Sequence, residues 1–246
     1  MWKHPSNAPL LLIVVLPVLA LPLPAAADID LSILREANKN AAPVKASKQP
    51  PATAGYTAKL APGNQETADD WYRRATELDR PNASDKDLTS AAFWYKKAAA
   101  KGNTDAQTNL AAMYAAGRGV EANPLEAARL YRQAAEAGNV RAQYSLALMY
   151  HLGQGVTKSF PDAIHWYESA ARQGDANAMN NMAFMYGMGE GVEQSNIEAY
   201  VWFALAASRG NKDAAENRDL AASEMTPEEK RKARDRYEQL EKQLGP

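Results

Sequence analysis

Four glycines, Gly102, Gly138, Gly174 and Gly210, stand 36 residues apart with no insertion between them. The same step carries Ala98-Ala99 to Ala134-Ala135, Ala170-Ala171 and Ala206-Ala207. It also carries Tyr95 to Tyr131, Tyr167 and Phe203, and Ala106 to Ala142, Ala178 and Ala214. A second in-phase set, Gly117-Arg118-Gly119-Val120, returns as Gly153-Gln154-Gly155-Val156 and Gly189-Glu190-Gly191-Val192. Met113-Tyr114, Met149-Tyr150 and Met185-Tyr186 precede these loops. A short unit copied in register cannot bury its apolar side alone, so neighbours must stack into one continuous core.

The period within each unit is helical. Ala106, Leu110, Ala111 and Tyr114 fall at i, i+4, i+5 and i+8, one apolar stripe, and Ala127, Leu130, Tyr131, Ala134 and Ala135 repeat the pattern. Asp87, Asn123, Ser159 and Ser195 occupy one repeat position just before the second helix, where a side-chain oxygen caps orphan N–H groups. Glu126, Asp162 and Glu198 follow three residues later and predict capping boxes. The four glycines stand where a left-handed residue ends the second helix, and Asn103, Asn139, Asp175 and Asn211 are placed to cap the next first helix. The in-phase Met, Trp and Tyr residues are read as core. At the front, Thr67 to Leu78 predicts a lone first helix, with a charged loop from Asp79 to Lys86 before the first second helix. At the back, Thr226-Pro227-Glu228-Glu229 opens a last helix carrying Ala233, Tyr237, Leu240 and Leu244 on one side, a lid for the stack. The expected architecture is therefore an all-α solenoid of helix-turn-helix repeats over residues 66–246, with a partial N-terminal unit, three full repeats and C-terminal capping helices.

The pattern small-x-x-x-Leu-small-x-x-Tyr, Gly-x-Gly-Val, Ala-x-x-Tyr-x-x-Ala-Ala-x-x-Gly stands at Ala106 to Gly138, Ala142 to Gly174 and Ala178 to Gly210. It resembles the Sel-one-like repeat, a 36-residue relative of the tetratricopeptide repeat. The resemblance implies a right-handed α/α superhelix used as an adaptor, with no common catalytic residue. Secreted bacterial members are associated with envelope signalling, polysaccharide export, stress response and host interaction.

The first residues are of another kind. Lys3 and His4 precede an apolar run from Leu10 to Leu23, broken by Pro17 and Pro22, which ends in Ala25-Ala26-Ala27 before Asp28. This reads as a cleaved signal peptide over residues 1–27, the run being short of the ~20 residues a spanning helix needs. Residues 28–65 carry Pro43, Pro50, Pro51 and Pro62 among Ala and Lys, and are expected to be a linker, with Ile29 to Leu34 a short docking patch at most. The chain has no cysteine, which excludes disulfides, thiolate metal sites and a lipoprotein anchor. Its 28 basic and 29 acidic residues give a net charge of −1, with no steering toward nucleic acid. The expected location is periplasmic or secreted, without membrane insertion after signal cleavage, and the chain is expected to be a monomer.

Catalytic motifs are missing. Of the three histidines, His4 lies in the leader, and His151 and His165 have no acidic or cysteine partner at ligand spacing, so a surface or helix-end role is expected. The Gly-x-Gly runs, Gly187 to Gly191 included, lack the Lys-Ser/Thr and the preceding strand of a phosphate loop and recur in phase with a turn. There is neither a Gly-x-Ser-x-Gly elbow nor a Ser-x-x-Lys nucleophile. Asn82-Ala83-Ser84 fits a glycosylation acceptor only in a eukaryotic host. Lys230-Arg231-Lys232, Arg234 and Arg236 alternate with acids and read as a solvated helix face. No catalytic, cofactor-binding or metal residue is expected, and no cofactor.

What remains are positions where the copies differ. With Ala106 at 0° and ~100° per residue, the core lies near 60° and the exposed arc falls at 108, 109, 112 and 115. The copies there place Tyr144, Leu148, His151, Asn180, Asn181 and Phe184 on a side expected to be wet. By analogy with related solenoids, first helices line the concave face, so these six residues are expected either to bind a protein or peptide partner or to pack as secondary core. The expected function is an exported, non-catalytic scaffold for protein–protein interaction, an envelope adaptor or regulator. The alternatives are a secreted effector that binds host proteins and a cell-wall or lactam hydrolase.

Overall fold

The computed structural model describes residues 66–245, so the leader and linker expected over residues 1–65 lie outside the described residues. Among the described residues there are ten α-helices and no strand. They are α1 (Ala68–Leu78), α2 (Asp85–Ala99), α3 (Thr104–Ala116), α4 (Pro124–Glu136), α5 (Val140–Leu152), α6 (Phe160–Ala171), α7 (Ala176–Met188), α8 (Asn196–Ser208), α9 (Lys212–Ser223) and α10 (Pro227–Leu244). Each helix from α1 to α8 packs on the next, forming an all-α repeat superhelix.

The joints between units follow from three residues each. Gly102, Gly138, Gly174 and Gly210 take φ of 84°, 89°, 87° and 91°, a left-handed turn that costs glycine least. That turn lets the N–H groups of Asn103, Asn139, Asp175 and Asn211 donate to the carbonyls of Ala98, Ala134, Ala170 and Ala206, closing a Schellman motif. The same four side chains accept the N–H groups of Ala106, Ala142, Ala178 and Ala214 at 2.8, 3.0, 2.8 and 2.9 Å. One residue thus ends one helix and starts the next.

The loops inside each unit use the Met-Tyr pair as an anchor. The Met113, Met149 and Met185 carbonyls accept N–H bonds from Arg118, Gln154 and Glu190. The Tyr114, Tyr150 and Tyr186 carbonyls accept from Asn123, Ser159 and Ser195. The second glycine of each loop is pressed against the preceding unit's second helix. A methyl on Gly191 would lie 2.6 Å from the Phe160 Cβ, and one on Gly119 or Gly155 would run into the backbone at Leu88 or Pro124. The Gly-x-Gly run is therefore a packing joint.

Two capping expectations need correction. Helix α2 begins earlier than expected: Ser84 is its N-cap, and Asp87 is the third helical residue, completing a two-way capping box. At Asn123, Ser159 and Ser195 the cap is one-way, because the Tyr carbonyls already hold the N–H that a returning carboxylate would need. Glu126 and Glu198 turn to Arg129 and Arg236 instead.

Tyr95, Tyr131, Tyr167 and Phe203 are buried with the alanine pairs beside them, except for Ala207, and Met113, Met149 and Met185 are fully enclosed. Small side chains let the helices approach while the rings fill the space between turns. The stack changes at its end. Loops of seven residues (117–123, 153–159, 189–195) join first to second helices in the full units, but only residues 224–226 separate α9 from α10. Met225 is buried there, and α10 packs on α8, held by Ala233 and Leu240 and by Arg236 on Glu198 at 2.7 Å.

Candidate functional site

In the first three units the residue at the end of the first helix and the central residue of the next unit's Gly-x-Gly loop stand 39 positions apart. In the first such rung Asp79 meets Arg118 at 2.5 Å. In the third, His151 Nε2 meets Glu190 Oε2 at 2.8 Å. Between them Ala115 stands at the place of Asp79 and His151, and the Oε1 of Gln154 is buried with no hydrogen-bond partner. Each polar rung touches the core tyrosine of its unit. The Tyr95 hydroxyl donates to Asp79 at 3.4 Å and accepts from Asn109 at 3.1 Å. The Tyr167 hydroxyl lies 3.5 Å from His151 Nδ1 and accepts from Asn181 at 3.0 Å.

Rings complete the third site. His151 stands edge-on to Tyr167 and to Phe160, with centroids 6.1 and 5.7 Å apart, and Tyr144 lies 5.9 Å from Tyr167. Phe184 sits edge-on to Phe203 at 5.1 Å. Burial pushes the Tyr144 phenol up to about 12 and, with Tyr144 and Glu190 nearby, drives Tyr167 well above its ordinary value. Burial also raises Asp175, against the pull of the backbone N–H groups it caps.

Of the six expected partner residues, α5 carries Tyr144, Leu148 and His151, and α7 carries Asn180, Asn181 and Phe184. Tyr144, His151, Asn180, Asn181 and Phe184 are half-buried, and the contacts above join His151, Tyr144 and Asn181 around Tyr167. Leu148 is only 6% exposed and Thr108, at the Tyr144 position of its unit, 1%, so the expected wet arc is partly core. The reason is geometric: each interior first helix packs against the second helix on either side of it, which widens its covered stripe beyond that of a one-sided helix. Asn180 keeps a buried Oδ1 without a partner.

Short-range spacing missed the acidic partner of His151, because Glu190 belongs to the next unit. The signal lay in the copies themselves: 79, 115 and 151 read Asp, Ala, His while 118, 154 and 190 read Arg, Gln, Glu. The Glu190–His151–Tyr167 line has the order of an acid–base relay. However, Tyr167 is 0% exposed and no substrate can reach its hydroxyl. Among the described residues no group of three or more His, Asp or Glu is placed to hold a metal, and no helix is long and apolar enough to cross a membrane.

An in-register stack of helix pairs joined by glycine-sealed loops defines an α/α-repeat scaffold. The Sel1 repeat matches residues 83–103, 104–139, 140–175 and 176–211, over half of the chain, and the protein belongs to that family, whose members are in general scaffolds for protein–protein interaction. The fold is similar to that of c5321, a protective antigen present in uropathogenic Escherichia coli strains (29% identity, TM-score 0.67, 73% of this chain and 38% of that one). It is also similar to a Sel1 repeat protein from Oxalobacter formigenes (31% identity, TM-score 0.59, 63% of each chain). The chain therefore spans under two thirds of either relative's length. No curated protein matches the sequence.

Proposed function

We propose that the protein is an exported, non-catalytic scaffold of the bacterial envelope that binds a protein partner along its first helices. One observation carries this reading. Three consecutive first helices each expose a large apolar side chain: Leu152 on α5 (37%), Met188 on α7 (44%) and Leu220 on α9 (38%). Apolar groups repeated along neighbouring helices suit capture of a peptide or helix. Of the six expected residues, Tyr144, Leu148 and His151 stand on α5 and Asn180, Asn181 and Phe184 on α7, the same helices, all half-buried except the buried Leu148. Export rests on the Lys3 to Ala27 pattern. The absence of catalysis rests on the enclosure of Tyr167 and on the missing nucleophile motifs.

The test is site-directed photo-crosslinking at position 220 in living cells, followed by fractionation and mass spectrometry. One envelope protein should be attached, and Leu152→Glu with Met188→Glu should abolish the attachment without moving the melting curve. A chain retained in the cytoplasm, or an adduct unchanged by both charges, would overturn the proposal. The likeness to a protective antigen supports a second reading, a secreted protein facing a host; recovery from the culture medium instead of the envelope would select it.

A further inference from the structure

The end of the solenoid departs from its own rule. In every earlier unit the second helix lies along its first helix, but α10 lies on α8 and leaves α9 without that neighbour. A groove open to solvent runs between α9 and α10. Its floor is α8, with Tyr200 and Ala204, one wall carries Arg218, and the other carries Lys230, Arg234 and Tyr237. Three cations and no carboxylate line it.

Part of the basic cluster on α10 is occupied. Lys232 pairs with Glu228 at 2.8 Å and Arg236 with Glu198, while Arg218 shares its charge with the exposed Asp219. Among the described residues no ion pair engages Lys230 or Arg234. They stand one helical turn apart, on the same side of α10. The basic run is thus divided: Lys232 and Arg236 are bonded to their own helix and to α8, Lys230 and Arg234 line the groove, and Arg231 does neither.

We infer that this groove is a second docking site, independent of the first-helix row, and that its occupant is an acidic peptide segment of a partner protein. Charge complementarity sets the sign of the ligand. Its form follows from the shape: the cations sit on opposite walls instead of converging on one point, and the floor between them, formed by Tyr200, Ala204, Ala207 and Ser208, is mostly apolar, as a side-chain-bearing segment requires and a lone phosphate does not.

The probe is a fluorescein-labelled peptide of about twelve residues, alternating Glu and Ala, titrated with the full chain and followed by anisotropy. It should bind, weaken as salt rises, and lose at least about tenfold in affinity with Lys230→Glu plus Arg234→Glu. Lys232→Glu, outside the groove, should change affinity less than about twofold. Circular dichroism melts of each variant check the fold. Should the double variant unfold, a benzophenone-bearing form of the peptide crosslinked to the unaltered protein must map to α8 or α10 around Tyr200 and Tyr237. Equal binding of a Gln-Ala peptide, equal loss with Lys232→Glu, displacement by millimolar inorganic phosphate, or a crosslink elsewhere would each overturn the inference. So would capture by anionic vesicles of phosphatidylglycerol while the peptide fails to bind.

Discussion

The rungs at Tyr95 and Tyr167 use the same backbone positions and reach the same end with opposite chemistry. At the first, a carboxylate on the helix end meets a guanidinium from the loop in a direct ion pair. At the third, the loop supplies the carboxylate and the helix end an imidazole, so the contact is an ion pair only when the ring holds its second proton. Between them, Tyr131 has Ala115 and a half-satisfied Gln154 instead, though it reaches Ser145. The lesson is that the repeat fixes where two side chains meet, and each copy decides what they are. A solenoid built this way can vary the stiffness and charge of each joint without altering its period.

The joint itself should break most severely. Gly191→Ala combines a left-handed backbone, φ 74°, with a methyl driven against Phe160. The cost should be about 2 to 5 kcal/mol. Gly174→Ala has a similar φ of 87° but open space around it, and should cost only about 1 to 2 kcal/mol. Thermal denaturation of the two variants separates the roles, and equal losses would show that the loop's seat on Phe160 contributes nothing.

Removing the hydroxyl comes next. Tyr167→Phe leaves Asn181 without its acceptor in a buried site and should cost about 1 to 2 kcal/mol in urea unfolding. Tyr131→Phe, at the rung that lacks an ion pair, should cost less. Phe203 shows that the position accepts a bare ring. A larger loss at Tyr131 would reverse the ranking of the rungs.

The helix joints differ too. Asp175 caps α7 where Asn103, Asn139 and Asn211 cap their helices, and burial raises its carboxyl. The folded chain then holds that proton more tightly than the unfolded one. The contribution is full below the unfolded value of about 3.9 and is lost as pH rises through the folded one. Asp175→Asn keeps the cap acceptor and removes the titration. The stability of the natural chain relative to the variant should therefore fall as pH rises above about 4, by less than the effect of Tyr167→Phe. A relative gain with pH would contradict the sign.

The stack was legible because packing there depends on residue types that recur. Glycines needing positive φ, alanines at close approach and Asn or Asp at first-helix caps announce themselves at fixed intervals. Asp87 misled because its role as third helical residue, not cap, depends on Ser84 and on a free backbone N–H, neither of which recurs in phase. Leu148 misled because a helical wheel with one covered stripe cannot represent a helix clasped from two sides. The position of α10 was hidden for another reason: its three-residue loop gives no sign of which earlier helix it will lie on, and the division of Lys230 and Arg234 from Lys232 and Arg236 appears only once that is settled.

The smallest effect is the sharpest probe of the rungs. If position alone dictates the meeting, the chemistry of the first rung can be moved to the third. His151→Asp alone should set a carboxylate against Glu190, and Glu190→Arg alone should remove the imidazole's acceptor. Each should destabilise by about 0.5 to 1.5 kcal/mol. Combined, they rebuild the order found at Asp79 and Arg118, with the Tyr167 hydroxyl now donating to a carboxylate as Tyr95 does. A double-mutant cycle should return a favourable coupling of about 0.5 to 1 kcal/mol, the range for a partly exposed pair. Strict additivity would mean that the polar rung adds nothing to the joint between the third and fourth units, and that His151 acts only through its ring packing on Phe160 and Tyr167 within its own unit.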